Sequence, residues 1–295
     1  MNQFALNADA LRGIGFMLLG CTIFPILNAC AKTLGNEYPI TEVVWARYAG
    51  HLLIILIMFM PRRGLNLFVA RRPGMQAIRS VLLFCSTSLY FTALHFLPMA
   101  TAASISFTSP FIVMALSVPL LGEKVGPHRI AAALIGFAGA LIIIRPGLEG
   151  THWATFLVVG SASCFALYSV LTRKVSGIDS SDTMVAYTAL VGVVVASLAM
   201  PFIDWEWPHS WFDVVLFAAM GACGGIGHFF VIKAFSFGQA SMIAPFNYVQ
   251  LVGATILGYW IFGNFPDRWT WIGAALIVCG GIYMAYREGV RRQAT

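Results

Sequence analysis

The sequence predicts an all-α membrane protein of ten transmembrane helices, arranged as two related sets of five. Three observations predict it. The 295 residues are 59% hydrophobic and only 10% charged, whereas ordinary soluble domains carry about 25% charged residues. So little polar side chain cannot cover a soluble protein of this length, and a bilayer is the solvent that fits. Ten long apolar stretches fill the chain and leave only short loops. Finally, the fourth and fifth stretches read like the ninth and tenth. Residues 100–121 end at Gly122-Glu123-Lys124, and residues 240–262 end at Gly263-Asn264. Ala133-Leu134-Ile135 returns as Ala275-Leu276-Ile277, and Gly139 returns as Gly281.

The first span, 11–33, is too long for the apolar region of a signal peptide and has no small-residue cleavage site after it. It is expected to remain as a helix. It carries Asn28 and Lys32 at i, i+4, on one face. Two readings fit Lys32: snorkelling to the headgroups, or a charge at the outer vestibule paired with Glu42 across the first hairpin. The second span, 40–60, contains Arg47 inside Val43-Val44-Trp45-Ala46-Arg47-Tyr48. A charge at that depth costs at least about 2.5 kcal/mol on insertion scales. Arg47 therefore faces either a cavity, touching a substrate carboxylate, phosphate or carbonyl, or a structural partner. Tyr48 and His51 extend it into a possible polar stripe, with packing the alternative for His51.

Spans three to five are 75–96, 100–121 and 129–144. Pro110 breaks helical hydrogen bonding in the fourth, as Pro245 does in the ninth, giving either gating hinges or static kinks. Spans six to eight are 153–171, 184–202 and 211–235. The glycine run 221–227 in the eighth lacks both the spacing and the preceding strand of a nucleotide fingerprint. Its Gly221 and Gly225 form G-x-x-x-G, which permits close helix contact. Spans nine and ten are 240–262 and 269–284. Asn247, just after Pro245, is a neutral hydrogen-bonding group within reach of a cavity.

Lysine and arginine set the topology. With the N-terminus inside, the inner side holds Arg12, Arg62, Arg63, Arg71, Arg72, Arg79, Lys124, Arg129, Arg173, Lys174, Lys233, Arg287, Arg291 and Arg292. The outer side holds Lys32, Arg145 and Arg268. Fourteen against three puts both termini in the cytoplasm. Trp205, Trp207, Trp211, Trp269 and Trp271 then fall at outer ends as interfacial anchors. An odd number of spans in each half forces the second half to enter from the opposite side. The repeats, 1–149 and 150–295, are thus expected to be inverted. Repeats on this scale mark carriers whose substrate site lies near the midplane between the halves.

Aromatic groups on several spans suit a ring-bearing ligand: Trp45, Tyr48, Tyr90, Phe107, Tyr168, Tyr187, His228, Phe246 and Tyr248. Ordinary packing claims most of them. The six cysteines lie in apolar stretches, form no C-x-x-C pair, and read as buried free thiols rather than metal or redox ligands. The formal charge of +6 is spread along loops, so it argues for topology and not for nucleic-acid binding. No cofactor or metal is expected. The lipid bilayer and a small-molecule substrate are the expected partners, and a homodimer is compatible with them.

The order of several motifs resembles the drug/metabolite transporter superfamily, in particular its EamA-type permeases. The first copy shows Ala93-Leu94, Pro98-Met99-Ala100-Thr101-Ala102, Pro110, Gly122-Glu123-Lys124 and Gly136-Phe137-Ala138-Gly139. The second shows Ala234, Gly238-Gln239-Ala240-Ser241, Pro245-Phe246-Asn247-Tyr248, Leu251, Ala254, Gly258 and Phe262-Gly263. Asn264 departs from the pattern, standing where the first copy has Glu123. The resemblance implies a ten-helix basket around a central cavity and transport of a small organic metabolite across a bacterial inner membrane. The substrates it implies are amino acids, riboflavin, or nucleoside derivatives such as S-adenosylmethionine. It favours the groups on spans three, four, eight and nine for the cavity: Tyr90, Phe107, His228, Phe246 and Tyr248. The rivals are an enzyme, a receptor and a lipid-sensing protein. An enzyme would gather acids or histidines at one depth, and this chain places nearly all its acids at span ends or in loops.

Overall fold

Apolar runs in a bilayer must satisfy every backbone group internally, which leaves the helix as the form open to them. The computed structural model, which describes residues 8–122, 127–144, 152–238 and 240–291, is correspondingly almost all helix. In chain order the helices are α1 (Ala8–Leu34), α2 (Ile40–Arg63), α3 (Pro73–Phe96), α4 (Met99–Ser106), α5 (Ser109–Leu121) and α6 (Pro127–Ile144). The second half gives α7 (Ala154–Val175), α8 (Ser181–Ser197), α9 (Trp211–Phe237), α10 (Ala240–Ile243), α11 (Val249–Phe262) and α12 (Arg268–Arg291).

Among the described residues, seven stretches are long and apolar enough to cross a membrane. They lie on α1, α2, α3, α4 with α5, α7, α8 and α9. Leu134–Ile143 and Val249–Phe262 are apolar but shorter. The other three spans expected from the sequence coincide with α6, α11 and α12.

Two expected spans are not continuous. Between α4 and α5 the chain tightens to i→i−3 bonds, with Phe107 N donating to Ser104 O (3.2 Å) and Thr108 N to Ile105 O (3.0 Å). Pro110 is the cause. It supplies no N–H, and its ring would press on the carbonyl four residues back. In the ninth span, Ala244–Tyr248 is a 3-10 turn between α10 and α11, again with a proline near its start. The two halves also end these elements alike. Gly122 closes α5 at φ 69°, and Gly263 follows α11 at φ 67°. That left-handed conformation is one a side chain disfavours. The Glu123-Lys124 turn and Gln239 lie outside the described residues.

Packing exchanges partners between the halves. α1 lies along α9 as α7 lies along α3, α2 packs on α9 as α8 packs on α3, and α5 meets α7 as α11 meets α1. α6 packs against α12 and α2 against α8. α2 and α9 approach backbone on backbone. A Cβ built on Gly221 of α9 would stand 2.6 Å from Gly50 Cα of α2, so glycine at both positions sets the crossing. This is the role expected of Gly221. Gly225 lies against His51 and Ile54, where a Cβ would meet each at 3.3 Å.

Candidate functional site

A cavity opens between the two halves, bounded by α1, α2, α3, α4, α5, α7, α9, α11 and the 3-10 turn before α11. Its volume is about 130 Å³. Aromatic rings form much of the wall: Phe24, Tyr90, Phe91, Phe107 and Phe165. Asn28, Thr87, Asn247 and Gln250 add neutral hydrogen-bonding groups. No described acid lines it, and Arg47 is its one described charge.

Arg47 reaches the cavity from α2 and lies beside Gly224 of α9, whose Cβ position is 3.7 Å from Arg47 Cγ and Nε, an ordinary contact. Arg47 is 1% exposed, and its Cζ lies 4.2 Å from the Tyr48 ring centroid. Its Nε and Nη1 have no hydrogen-bond partner. His228, on the same wall, packs its ring on Phe24 at 5.0 Å and on His51 at 6.1 Å, and its Nδ1 is also unpartnered.

The structure brings Asn28, Arg47, Tyr90, Phe107, Pro110 and Asn247 together on the wall. It does not bring all the expected residues there. Tyr48 and His51 are buried off the wall: Tyr48 packs on Gly192 of α8 and Phe84 of α3, and His51 on Gly225 of α9. Tyr48 Oη pairs with Thr87 Oγ1 at 3.2 Å, and both ring nitrogens of His51 lack partners. Phe246 is half-buried away from the wall. The side chains of Pro245 and Tyr248 lie outside the described residues. Trp45 faces elsewhere, donating to Ser197 Oγ at 3.0 Å and meeting Trp205 edge-on.

The expected Lys32–Glu42 pair is not formed. Lys32 is buried and donates to Leu94 O (2.5 Å) and Leu97 O (2.8 Å) at the end of α3, where unsatisfied carbonyls attract a cation. Glu42 Oε2 instead accepts from Glu206 N at 3.1 Å. Arg79, counted from sequence among inner-side charges, is fully buried. It donates to Gln76 Oε1 (3.0 Å), Thr172 Oγ1 (2.9 Å), Thr188 Oγ1 (2.7 Å) and Met184 O. Gln76 in turn donates to Asp179 at 2.8 Å. The cysteines are free, but only Cys21 and Cys30 are buried and Cys279 is exposed, since helix faces toward lipid need no covering. Glu37, His209 and Asp213 bring possible metal-ligating atoms within 4.8 Å of one another, with Asp213 Oδ2 accepting from Ser210 N, Ser210 Oγ and Tyr38 Oη.

Sequence reasoning missed the hydroxyl wall. Ser86 Oγ donates to Ser161 O at 3.0 Å and Ser161 Oγ to Ser86 O at 2.7 Å, which ties α3 to α7 beneath the cavity. It also passed over Gln250, whose Nε2 donates to Asn247 Oδ1 at 3.3 Å. A glutamine three residues after Asn247, on the same helical face, was the available signal.

Residues 11–145 and, again, residues 152–286 match the sequence model of the EamA-like transporter family. The chain belongs to that family. The EamA-like match covers both copies of the internal repeat and agrees with a multi-pass membrane protein that is a transporter and not an enzyme. The chain is 31% identical over 278 residues to an S-adenosylmethionine uptake transporter of Rickettsia felis, covering 94% of each protein. It is 30% identical to a riboflavin transporter of Vibrio cholerae, covering 96% of each. It is 29% identical to a pseudopaline exporter of Pseudomonas aeruginosa, covering 94% of this chain and 97% of that one. A solved crystal structure 20% identical superposes with a TM-score of 0.71 over 96% of this chain and 99% of that one, a likeness of fold.

Proposed function

We propose that this chain is an inner-membrane permease that moves a small, ring-bearing or amphipathic organic metabolite by alternating access. The cavity between the halves carries this reading: it combines an aromatic wall with one buried cation, and it sits where helices from both halves meet. In this reading ten spans form two inverted repeats, 1–149 and 150–295, with both termini in the cytoplasm. The exchanged packing partners and the basic asymmetry of the loops support it. The paired breaks at Pro110 and Pro245 serve as hinges, letting each half open without unwinding a whole helix. Arg47, Asn28, Tyr90, Phe107 and Asn247 contact the substrate, while Lys32 and Glu42 shape the outer vestibule.

The relatives span uptake and export and several ring-bearing or polar solutes, so the substrate class stays broad: riboflavin, a nucleoside derivative such as S-adenosylmethionine, or an amino acid. No described acid lines the cavity, where His228 is the one described group of the proton-relay type, and the mode proposed is facilitated diffusion or exchange. Counterflow in proteoliposomes tests the proposal. Labelled S-adenosylmethionine, riboflavin or tryptophan should accumulate when the same compound is preloaded inside, with no imposed gradient. A receptor or lipid sensor would bind without flux, and flux that appears only under a proton gradient would rule out the uncoupled mode.

A further inference from the structure

We infer that the substrate of this permease carries a carboxylate, and that this carboxylate is the missing counter-ion of Arg47. The inference rests on the transporter reading above and narrows it to a chemical class.

Buried cations are costly unless they are paired and hydrogen-bonded. The other two buried cations of the described structure are satisfied by hydrogen bonds to neutral acceptors. Arg79 has four hydrogen bonds, and Lys32 has two helix-end carbonyls. Arg47 differs. It is as buried as they are, its Nε and Nη1 donate to nothing, and what it adjoins is the cavity. The Tyr48 ring, with its centroid 4.2 Å from Arg47 Cζ, steadies the guanidinium there.

The surroundings define what completes the site. The described wall contains no acid to neutralise Arg47 and no acceptor bonded to its Nε or Nη1, so both the counter-charge and the acceptors are left to the ligand. It contains no second cation either, so a single negative charge is matched and a doubly charged phosphate is not. A carboxylate is planar, monoanionic and suited to a guanidinium fork. His228 on the same wall offers an imidazole whose Nδ1 is unpartnered, and Thr87 brings a hydroxyl. The rings of Phe24, Tyr90 and Phe107 then receive the rest of the molecule. The ligand class is a ring-bearing monocarboxylate, such as an aromatic amino acid or an adenosyl amino acid.

The test uses matched compounds on the purified full-length chain, with thermal stabilisation as the readout. S-adenosylmethionine is compared with decarboxylated S-adenosylmethionine, tryptophan with tryptamine, and riboflavin serves as a ring without a carboxylate. At least one carboxylate should raise the Tm, its decarboxylated partner should bind at least tenfold more weakly, and Arg47→Gln should remove the difference while Arg47→Lys retains part of it. Equal binding of the decarboxylated partner, or no stabilisation by any carboxylate in the panel, overturns the inference on the wild-type protein alone, whatever the variants do. Counterflow separates the two proposals. Flux of riboflavin without carboxylate binding would leave the permease standing and remove the carboxylate site. Carboxylate binding through Arg47 without flux would do the reverse.

Discussion

Arg47 and Arg79 lie in one helical core at 1% and 0% exposure, yet Arg79 donates to four acceptors while Nε and Nη1 of Arg47 donate to none. The first arginine is held by the cavity, the second by the protein. Their substitution should therefore separate function from stability.

Arg79→Ala should destabilise the protein strongly, by about 3 kcal/mol or more, because it leaves a void and strips buried acceptors on α3, α7 and α8. Arg47→Gln should leave the melting temperature in detergent within a few degrees of wild type and abolish counterflow. Normal flux in Arg47→Gln would take this residue out of the site.

Gly221→Ala should cost about 2 kcal/mol or prevent assembly, since its Cβ would fall 2.6 Å from Gly50 Cα and neither backbone can yield alone. Gly15→Ala is the contrasting case. Nothing lies within 4 Å of its Cβ position, and Gly15 is inside α1, so alanine should stabilise by about 0.5–1 kcal/mol. Thermal melts of the two variants check both signs.

Pro110→Ala restores an N–H at the junction of α4 and α5 and removes the ring that enforces the break. Equilibrium binding should be retained while the counterflow rate falls several-fold. Unchanged flux would make the break a static kink.

Lys32→Met and Glu42→Gln should act independently, because the two side chains bond to different segments. A double-mutant cycle should give a coupling below about 0.5 kcal/mol. A larger value would mean that the pair forms in another state of the transport cycle.

The sequence made the spans, the glycine crossing and Arg47 legible, for a shared reason. A charge inside an apolar run, or a glycine in a helix, is expensive enough to demand an explanation. The hydroxyl wall was hidden because serine in an apolar helix satisfies itself. Ser104 Oγ donates to Ala100 O and Ser106 Oγ to Ala102 O, a pattern that looks the same whether or not the helix faces a cavity. His51 packs against Gly225 and His228 of α9, a pairing between distant segments that its spacing from Arg47 does not reveal. Arg79 counts only as an inner-side charge in the sequence, because its partners Thr172 and Thr188 sit on helices that only the fold brings near.

The exchange of partners between the halves also bears on how the chain comes to be made. α1 finds its long neighbour in α9, and α3 finds its own in α7. When α1 to α6 leave the ribosome, the surfaces they are meant to cover do not yet exist. They must wait in the bilayer, with Arg47 and Arg79 still lacking the helices that enclose them. Biogenesis of this protein is therefore a two-stage event, in which insertion precedes a late, collective docking. A ribosome stalled before α9 would leave an orphan suited to membrane quality control, not a half-working pore.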